Sequence, residues 1–274
     1  MQEYIFLNNT FVKAEDAKIH VSDLGLVRGY GIFDFFRAID GRAIFLEDHL
    51  DRFENSARLM GLPIPASREQ LKEIIYETIK LHPLPLVGIK MILTGGFSSD
   101  GYLPAESSNL IVTAKPFEFK NPNKGMKLLS LEYKREIPEI KTLNYIVPIR
   151  IQPQLRAQQA DDVLYHQNGI ISESSRSNIF IVKDNLIATP KDGALFGVTR
   201  KHVLKLAAQY YKVEERDISF NEYLQADEVF TTGSTKRIVP IAQTDEVVFN
   251  NGKTGAVTKH LQELFLAYEK QSLE

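Results

Sequence analysis

The chain has 274 residues, 43% of them hydrophobic and 25% charged, and this ordinary globular composition predicts one large domain or two of average size. Its net charge of −2 gives no electrostatic basis for binding nucleic acid or an anionic membrane. The lack of cysteine excludes disulfides, thiolate metal sites and a cysteine nucleophile, and it is compatible with a reducing cytoplasm.

Neither a secretion signal nor a membrane span is predicted. Residues 1–5 lack the basic start and the long apolar run of a signal peptide. No stretch approaches the roughly 20 apolar residues that a spanning helix needs. We therefore expect a cytoplasmic protein that binds neither nucleic acid nor a membrane.

Residues 1–115 predict an α+β domain in which strands flank two helices. The helix over residues 47–61 repeats apolar side chains every three or four positions. The helix over residues 67–81 begins with Ser67 and Gln70 at the spacing of a capping box. Strands are predicted over residues 5–12, after the glycine-rich stretch 21–31, and over residues 87–93 and 109–114.

Residues 116–125 are rich in proline, asparagine and lysine, and they form the predicted linker to a second domain over residues 126–274. The second domain is mostly strands, with a strong hairpin signal at Asn168 and Gly169. Its predicted strands cover residues 126–133, 163–166, 178–183, 186–189 and 228–231, and its predicted helices cover residues 197–211, 219–226 and 255–270. The fold class predicted for the whole chain is α+β.

Two segments are candidates for holding an anion. Residues 197–199 open a predicted helix, where free N–H groups and the helix dipole favour phosphate, although Thr199 could simply be a helix cap. Residues 232–235 combine a glycine with hydroxyl donors after a strand, although this could be an ordinary polar loop. Periodicity alone predicts that Arg52 is a solvated charge. Lys141 is one of 33 Lys and Arg residues, and such a residue is ordinarily a surface charge. The six histidines show no metal-binding spacing, so no metal site is predicted.

Six short segments of the chain, in order, are RGYGIFD (28–34), EDHLDRF (47–53), KTLN (141–144), ESSRSNIF (173–180), GVTR (197–200) and TGST (232–235). Taken together, they resemble the class IV aminotransferases, which bind pyridoxal phosphate (PLP). The family includes branched-chain aminotransferases, D-amino-acid aminotransferases and aminodeoxychorismate lyases. The match runs from about residue 20 to residue 250, and it implies a two-layer N-terminal α+β domain and a barrel-like C-terminal α+β domain that carries the catalytic lysine.

The resemblance implies a role for single positions. Lys141 would hold the cofactor covalently through its amine and later move a proton between substrate and cofactor, since a partly desolvated lysine loses its charge more easily. Glu173 would face the pyridine nitrogen and keep it protonated, which makes the ring an electron sink. The other implied cofactor contacts are Arg52, the N–H groups of Val198 and Thr199 and the Ser234 hydroxyl at the phosphate, and Tyr145 at the phenolic oxygen of the ring.

The substrate is less constrained than the cofactor. Tyr145 favours a branched-chain enzyme, because D-amino-acid enzymes have an apolar residue at this position. Those enzymes also place an arginine and a histidine where this chain has Asp100 and Tyr102, which weakens a D-amino-acid assignment. The lyases have Arg-Gly-Tyr in this loop, so their match is partial. The implied substrate contacts are Arg28, Phe33, Arg37, Ser234 and Thr235.

We therefore expect a homodimeric, PLP-dependent aminotransferase that moves an amino group between an amino acid and a 2-oxo acid. Branched-chain L-amino acids are the first expected substrates. One alternative is an aminodeoxychorismate lyase, which uses the same cofactor and lysine but releases pyruvate. Another is a non-catalytic binding protein on the same fold, which would bind no cofactor. For the substrate arginines, the alternative is that Arg37 is structural and Arg28 points elsewhere.

Overall fold

A computed structural model of the chain describes residues 3–104, 106–119 and 124–273, and its fold is α+β as predicted. The chain forms two compact units. The first comprises Met1–Glu118 and Ile140–Tyr145, and the second comprises Phe119–Glu139 and Ile146–Glu274. Residues 120–123 of the predicted linker lie outside the described residues.

The assignment of Lys141 to the second domain is wrong, because its segment belongs to the first unit. The backbone N–H of Phe33 donates to the carbonyl oxygen of Lys141 at 2.9 Å, and the N–H of Leu143 donates to that of Gly31 at 2.9 Å. The first unit also extends to Glu118, three residues past the predicted boundary at residue 115.

The first unit contains a six-stranded antiparallel sheet whose strand order is β2-β1-β6-β5-β3-β4, with two long helices on one face. Its elements are β1 (Tyr4–Leu7), β2 (Thr10–Lys13), α1 (Leu24–Arg28), β3 (Gly31–Ile39), β4 (Arg42–Ala43), α2 (Leu46–Met60), α3 (Arg68–Lys80), β5 (Leu86–Thr94) and β6 (Asn109–Pro116).

Local sequence signals explain these helices. The predicted capping box is present at the start of α3, where Ser67 and Gln70 bond each other's backbone N–H groups. The apolar stripe of α2 packs into the core with Leu50 and Phe53 fully buried. Strand β3 alternates, so that Phe36 and its even-numbered neighbours face the helices while the odd-numbered residues face the other side.

The second unit is built on a closed barrel, as the family resemblance implies. Its elements are β7 (Met126–Glu132), α4 (Ile146–Arg150), α5 (Gln152–Ala157), β8 (Asp162–Gln167), β9 (Ile170–Ser174), β10 (Ser177–Lys183), β11 (Leu186–Thr189), α6 (Val198–Ala207), β12 (Lys212–Glu215), α7 (Phe220–Leu224), β13 (Glu228–Gly233), β14 (Arg237–Thr244), β15 (Val247–Val248) and α8 (Ala256–Gln271). Six strands pair in the order β10-β13-β14-β7-β8-β9, and β9 pairs with β10 to close the ring.

Some elements differ from the sequence prediction. Strand β14 was not predicted, because it contains Pro240, which cannot donate to a strand ladder. Strand β9 is the second strand of the predicted hairpin, but no range was predicted for it, because Ser172, Glu173 and Ser174 make it polar. Helix α6 ends at Ala207, earlier than the predicted residue 211. Among the helices of the described ranges, none is both long and apolar enough to cross a bilayer.

Candidate active site

Lys141 lies on a short stretch of backbone that extends the sheet of the first unit. Thr142 forms an antiparallel bridge with Ile32, at the edge of β3 opposite β5. Gly31 permits this approach, because a Cβ there would lie 2.7 Å from the Leu143 Cδ1 atom and 2.7 Å from the backbone oxygen of Leu93. Gly31, the second glycine of the segment 28–34, thus helps to position Lys141.

Phe33 stands at the centre of a small cluster that includes Lys141. Residues opposite each other in an antiparallel pair share a face, and the Lys141 Nζ atom lies 4.4 Å from the centre of the Phe33 ring. The Tyr145 ring contacts the same ring edge-on, with centroids 5.6 Å apart. The Lys90 Nζ atom lies 5.1 Å from the ring, and burial lowers the pKa of Lys90, as does the nearby charge of Lys115. The predicted residues Lys141, Phe33 and Tyr145 therefore lie together.

The prediction from periodicity that Arg52 is a solvated charge is wrong. Its side chain is only 11% exposed, and its Nε and Nη2 atoms each donate to Asp34 at 2.8 Å. His49, one turn earlier on α2, bonds the same carboxylate at 2.7 Å. Burial alone would raise the pKa of Asp34, but Arg52 and His49 hold it well below its usual range. The arginine is therefore held in place by a buried, ionised carboxylate.

The two predicted substrate arginines have different environments. Arg37 is buried on β3, on the same face of the strand as Phe33. Arg28 is exposed at the end of α1, where its Nη1 atom donates to the carbonyl oxygen of Val27 at 2.9 Å. The structure thus groups Arg37, but not Arg28, with a predicted substrate residue on one strand.

Asp100, which stands where the D-amino-acid enzymes have a basic residue, organises its own loop. Its Oδ1 atom accepts hydrogen bonds from the Ser98 hydroxyl at 3.0 Å and from the N–H groups of Tyr102 and Leu103 at 2.9 Å each. These bonds lower the pKa of Asp100, so the carboxylate remains ionised at neutral pH. A carboxylate in this role offers no positive charge to a substrate carboxylate.

In the second unit, Glu173 is buried on β9 and is held by two donors. The Arg135 Nε atom donates to its Oε1 atom at 2.8 Å, and the Leu195 N–H donates to its Oε2 atom at 3.0 Å. The guanidinium of Arg135 also donates to the carbonyl oxygen of Pro138. This arrangement fixes the carboxylate in position and balances its charge.

The residues that follow Leu195 lead directly into α6. Asn178 donates from Nδ2 to the Leu195 carbonyl oxygen at 2.6 Å. Gly197 is the N-cap of α6 and has no side chain to bond the helix, so the interpretation of Thr199 as the cap is wrong. Val198 and Thr199 begin the helix, and the N–H groups of a first turn have no partner within the helix. The predicted anion site is thus an uncapped helix start.

Ser234 and Thr235 lie in the tight turn that joins β13 to β14, closed by a hydrogen bond from the Lys236 N–H to the Gly233 carbonyl oxygen at 3.0 Å. Thr232 precedes the turn and lies opposite Asn178 in the ladder. Within the described ranges, the buried Thr232 Oγ1 atom has no hydrogen-bond partner. A buried hydroxyl of this kind is available to an acceptor that the described residues do not supply.

Several residues that contact the predicted ones were not predicted from the sequence. Asp34 lies within the segment 28–34, and His49 lies within the segment 47–53, which also contains Arg52. The ionisable side chains of Asp34 and His49 were the signal that the sequence offered. Arg135 and Asn178 are linked to Glu173 and Leu195 only by the fold, since 38 and 17 residues separate the bonded pairs. No local pattern in the sequence predicts those contacts.

Two relatives illustrate the similarity of the sequence to known proteins. A Methanocaldococcus jannaschii protein with the provisional name branched-chain-amino-acid aminotransferase is 32% identical over 272 residues, covering 95% of this chain and 94% of its own. A D-alanine aminotransferase of Staphylococcus epidermidis is 28% identical over 274 residues, covering 96% and 97%.

Two solved structures show the same similarity in three dimensions. A branched-chain amino acid aminotransferase from Escherichia coli has a TM-score of 0.89 at 28% identity, covering 97% of this chain and 94% of its own. A Legionella pneumophila protein, provisionally a 4-amino-4-deoxychorismate lyase, has a TM-score of 0.86 at 27% identity, covering 93% and 97%.

The predictions of family, fold and enzyme class are confirmed by these similarities and by a match to the sequence model of a family. The sequence model of the family described as amino-transferase class IV matches residues 31–244, which is most of the chain. Enzymes of this family use PLP as their cofactor. The chain belongs to the class IV aminotransferases.

Proposed function

We propose that this chain transfers amino groups with PLP held covalently by Lys141. The observation that carries the proposal is the placement of Lys141. Its carbonyl oxygen accepts a hydrogen bond from the Phe33 N–H, the nearby Leu143 N–H donates to Gly31, and its Nζ atom lies 4.4 Å from the Phe33 ring. A lysine fixed in this way is oriented to attack a carbonyl and to move a proton at the same Nζ atom.

The donor set supports binding of a phosphate group. Arg52 supplies a cation that is already oriented, and the N–H groups of Val198 and Thr199 form an uncapped helix start. The Ser234 hydroxyl is the further donor that the family resemblance implies. The unpartnered Thr232 hydroxyl adds another buried donor among the described residues of the second unit.

Glu173 supports a bound pyridine ring in its protonated form. Two unit charges about 4 Å apart attract each other by about 4 kcal/mol at an effective dielectric of 20, and this attraction, which Arg135 partly offsets, favours a proton on the ring nitrogen. Protonated PLP supplies an electron sink for the carbon from which the substrate loses its proton. Arg135 and the Leu195 N–H keep the Glu173 carboxylate in one orientation.

Branched-chain L-amino acids remain the first proposed substrates, with a 2-oxo acid as the acceptor. The aromatic surface of Phe33 and Tyr145 beside Lys141 supports an apolar substrate side chain. Arg37 would supply a charge for the substrate carboxylate, together with N–H groups of Ser234 and Thr235. Arg28 is proposed as a second substrate contact.

The test is an absorbance titration of the PLP-loaded protein with single amino acids of both configurations. We expect leucine, isoleucine and valine in the L form to bleach the visible band of the bound cofactor, and a 2-oxo acid to restore it. Bleaching by D-alanine alone would move the substrate assignment to D-amino acids. A protein that PLP cannot colour would overturn the proposed function.

The second candidate is an aminodeoxychorismate lyase, because the Legionella pneumophila structure covers nearly the whole chain at a TM-score of 0.86. The same preparation distinguishes the two activities. A lyase releases pyruvate from aminodeoxychorismate and turns over no pair of amino acid and 2-oxo acid. An aminotransferase gives the opposite result.

A homodimer is supported by an exposed apolar patch on the first unit. Large side chains are exposed on and around α1 and the loop after β5, namely Val21, Leu26, Phe97, Tyr102 and Leu103. The bridge between Asp23 and Phe97 holds these two segments together. Because exposed patches of this kind mark protein–protein contacts, we propose that a second copy covers it. Sedimentation analysis should show a dimer, and Leu26→Glu should shift it toward monomer.

The cytoplasmic localisation stays a prediction.

A further inference from the structure

We propose that Asp34 is a positioning residue that aims Arg52 at the cofactor phosphate. The inference rests on the proposed role of Arg52. Asp34 lies on β3 with 0% of its surface exposed, on the face of the strand that packs against α2. Arg52 extends from α2 toward it. The two residues therefore connect the sheet to the helix that carries Arg52, the proposed phosphate-binding residue.

The geometry leaves one edge of the guanidinium for a ligand. Arg52 donates from Nε to Asp34 Oδ2 and from Nη2 to Asp34 Oδ1, each at 2.8 Å. This side-on pair uses two of the three nitrogen atoms, and it leaves the Nη1 group for a further acceptor. A bidentate pair also fixes the plane of the guanidinium, which a single bond does not.

His49 holds the carboxylate from another direction. Its Nδ1 atom lies 2.7 Å from Asp34 Oδ1, and an ionised carboxylate can only accept, so Nδ1 carries the proton. The 3.3 Å approach of Arg52 Nη2 to the same Nδ1 is then a contact between two donors. Asp34 is consequently the acceptor that both residues share, and its removal would release Arg52.

Pre-orientation has a measurable consequence for binding. An arginine side chain has many rotamers, and ordering it when the ligand arrives reduces affinity. With Asp34 in place, this ordering occurs during folding. Loss of Asp34 should therefore weaken ligands that carry the phosphate and spare those that lack it.

The experiment titrates four apoproteins with PLP and with pyridoxal, which lacks the phosphate. The proteins are the wild type, Asp34→Asn, Arg52→Gln and the double variant. We expect each single variant to lose about 10- to 100-fold in PLP affinity, as for a hydrogen bond to a charged group, with less than about a twofold change for pyridoxal. The double variant should bind PLP no more weakly than Arg52→Gln alone.

Each other outcome overturns the inference in a different way. Equal losses for PLP and pyridoxal would mean that Asp34 supports the fold in general. Losses that multiply in the double variant would mean that Asp34 acts independently of Arg52. If Arg52→Gln leaves PLP binding unchanged, the proposed role of Arg52 fails first, and the inference fails with it.

A second variant keeps the test decisive if Asp34→Asn does not fold. Asp34→Glu retains the charge and both acceptor oxygens but displaces them by one methylene group. It should bind pyridoxal as the wild type does and lose PLP affinity by less than Arg52→Gln. A loss that is equal for both ligands would contradict the positioning role.

Discussion

Replacing Gly197 with alanine should destabilise the second unit, because the new Cβ would lie 2.2 Å from the Oδ1 atom of Asn178. The backbone itself permits alanine, since its φ of −67° and ψ of 139° are accessible to any residue. The next nearest atoms are Asn178 Cγ at 3.4 Å and Arg200 Cβ at 3.5 Å. The clash therefore involves one side-chain oxygen, in the amide that also bonds Leu195.

Two contributions set the magnitude. Overpacking costs about 1–3 kcal/mol, and loss of the hydrogen bond from Asn178 to the half-buried Leu195 carbonyl oxygen costs about another 0.5–1.5 kcal/mol. Asn178→Ala alone loses only the hydrogen bond. In that background the added methyl group of Gly197→Ala meets no oxygen and stiffens the unfolded chain, so it should be neutral or stabilise by about 0.4–1 kcal/mol. The sign of the alanine effect should therefore reverse.

Thermal unfolding of the wild type, the two single variants and the double variant measures this reversal. For a chain of this size, about 1 kcal/mol corresponds to a change of about 2–4 °C in Tm. PLP affinity provides a second measurement, because displacement of Leu195 should move the start of α6 and weaken binding in Gly197→Ala. If Gly197→Ala lowers Tm equally with and without Asn178, the clash is not the cause and the reasoning is refuted.

Three further predictions follow from contacts elsewhere in the chain. Burial lowers the pKa of His49, although Asp34 opposes this, so the unfolded chain takes up a proton that the folded chain resists. The free energy of unfolding should then fall as pH drops through the ordinary value of 6.5, by at most about 1.4 kcal/mol per pH unit, and His49→Gln should flatten this slope in thermal melts. Glu228 accepts hydrogen bonds from two N–H groups at the start of α8, at 3.0 and 2.8 Å. Glu228→Ala should therefore lower the free energy of unfolding in urea by about 1–3 kcal/mol, and an unchanged unfolding midpoint would contradict this capping role. Gly31→Ala should lower the free energy of unfolding by about 1–3 kcal/mol and slow the attachment of PLP, since the new Cβ would lie 2.7 Å from the Leu93 backbone oxygen. Attachment at the wild-type rate would show that the lysine segment tolerates the change.

Elements with local signals were predictable from the sequence. The capping box of α3 needs only Ser67 and Gln70, and the hairpin at Asn168 and Gly169 needs only two residues that tolerate positive φ. The apolar stripe of α2 likewise depends on spacing within one helix. In each case, residues a few positions apart determine the structure, so the pattern is visible before the fold is known.

The contacts that shape the candidate site are long-range, and this is why they were missed. Arg52 was expected to be solvated because helix periodicity describes only its own helix, whereas Asp34 lies 18 residues away on a strand. The Lys141 segment was assigned to the wrong unit because its pairing with β3 involves only three residues, too few to show a strand pattern. Family resemblance implied roles for Lys141, Arg52 and Glu173, but it gave no information on which side chains hold them.

Reductive trapping tests the central proposal most directly. The protein is loaded with PLP, reduced with borohydride and digested, and the labelled peptide is identified by its mass. We expect a single label on Lys141, and we expect Lys141→Ala to lose both the label and the visible absorbance band. Lys80→Ala, which removes an exposed lysine, serves as the matched control and should retain both. A label on another lysine, or a fully labelled Lys141→Ala variant, would contradict the proposed role of Lys141.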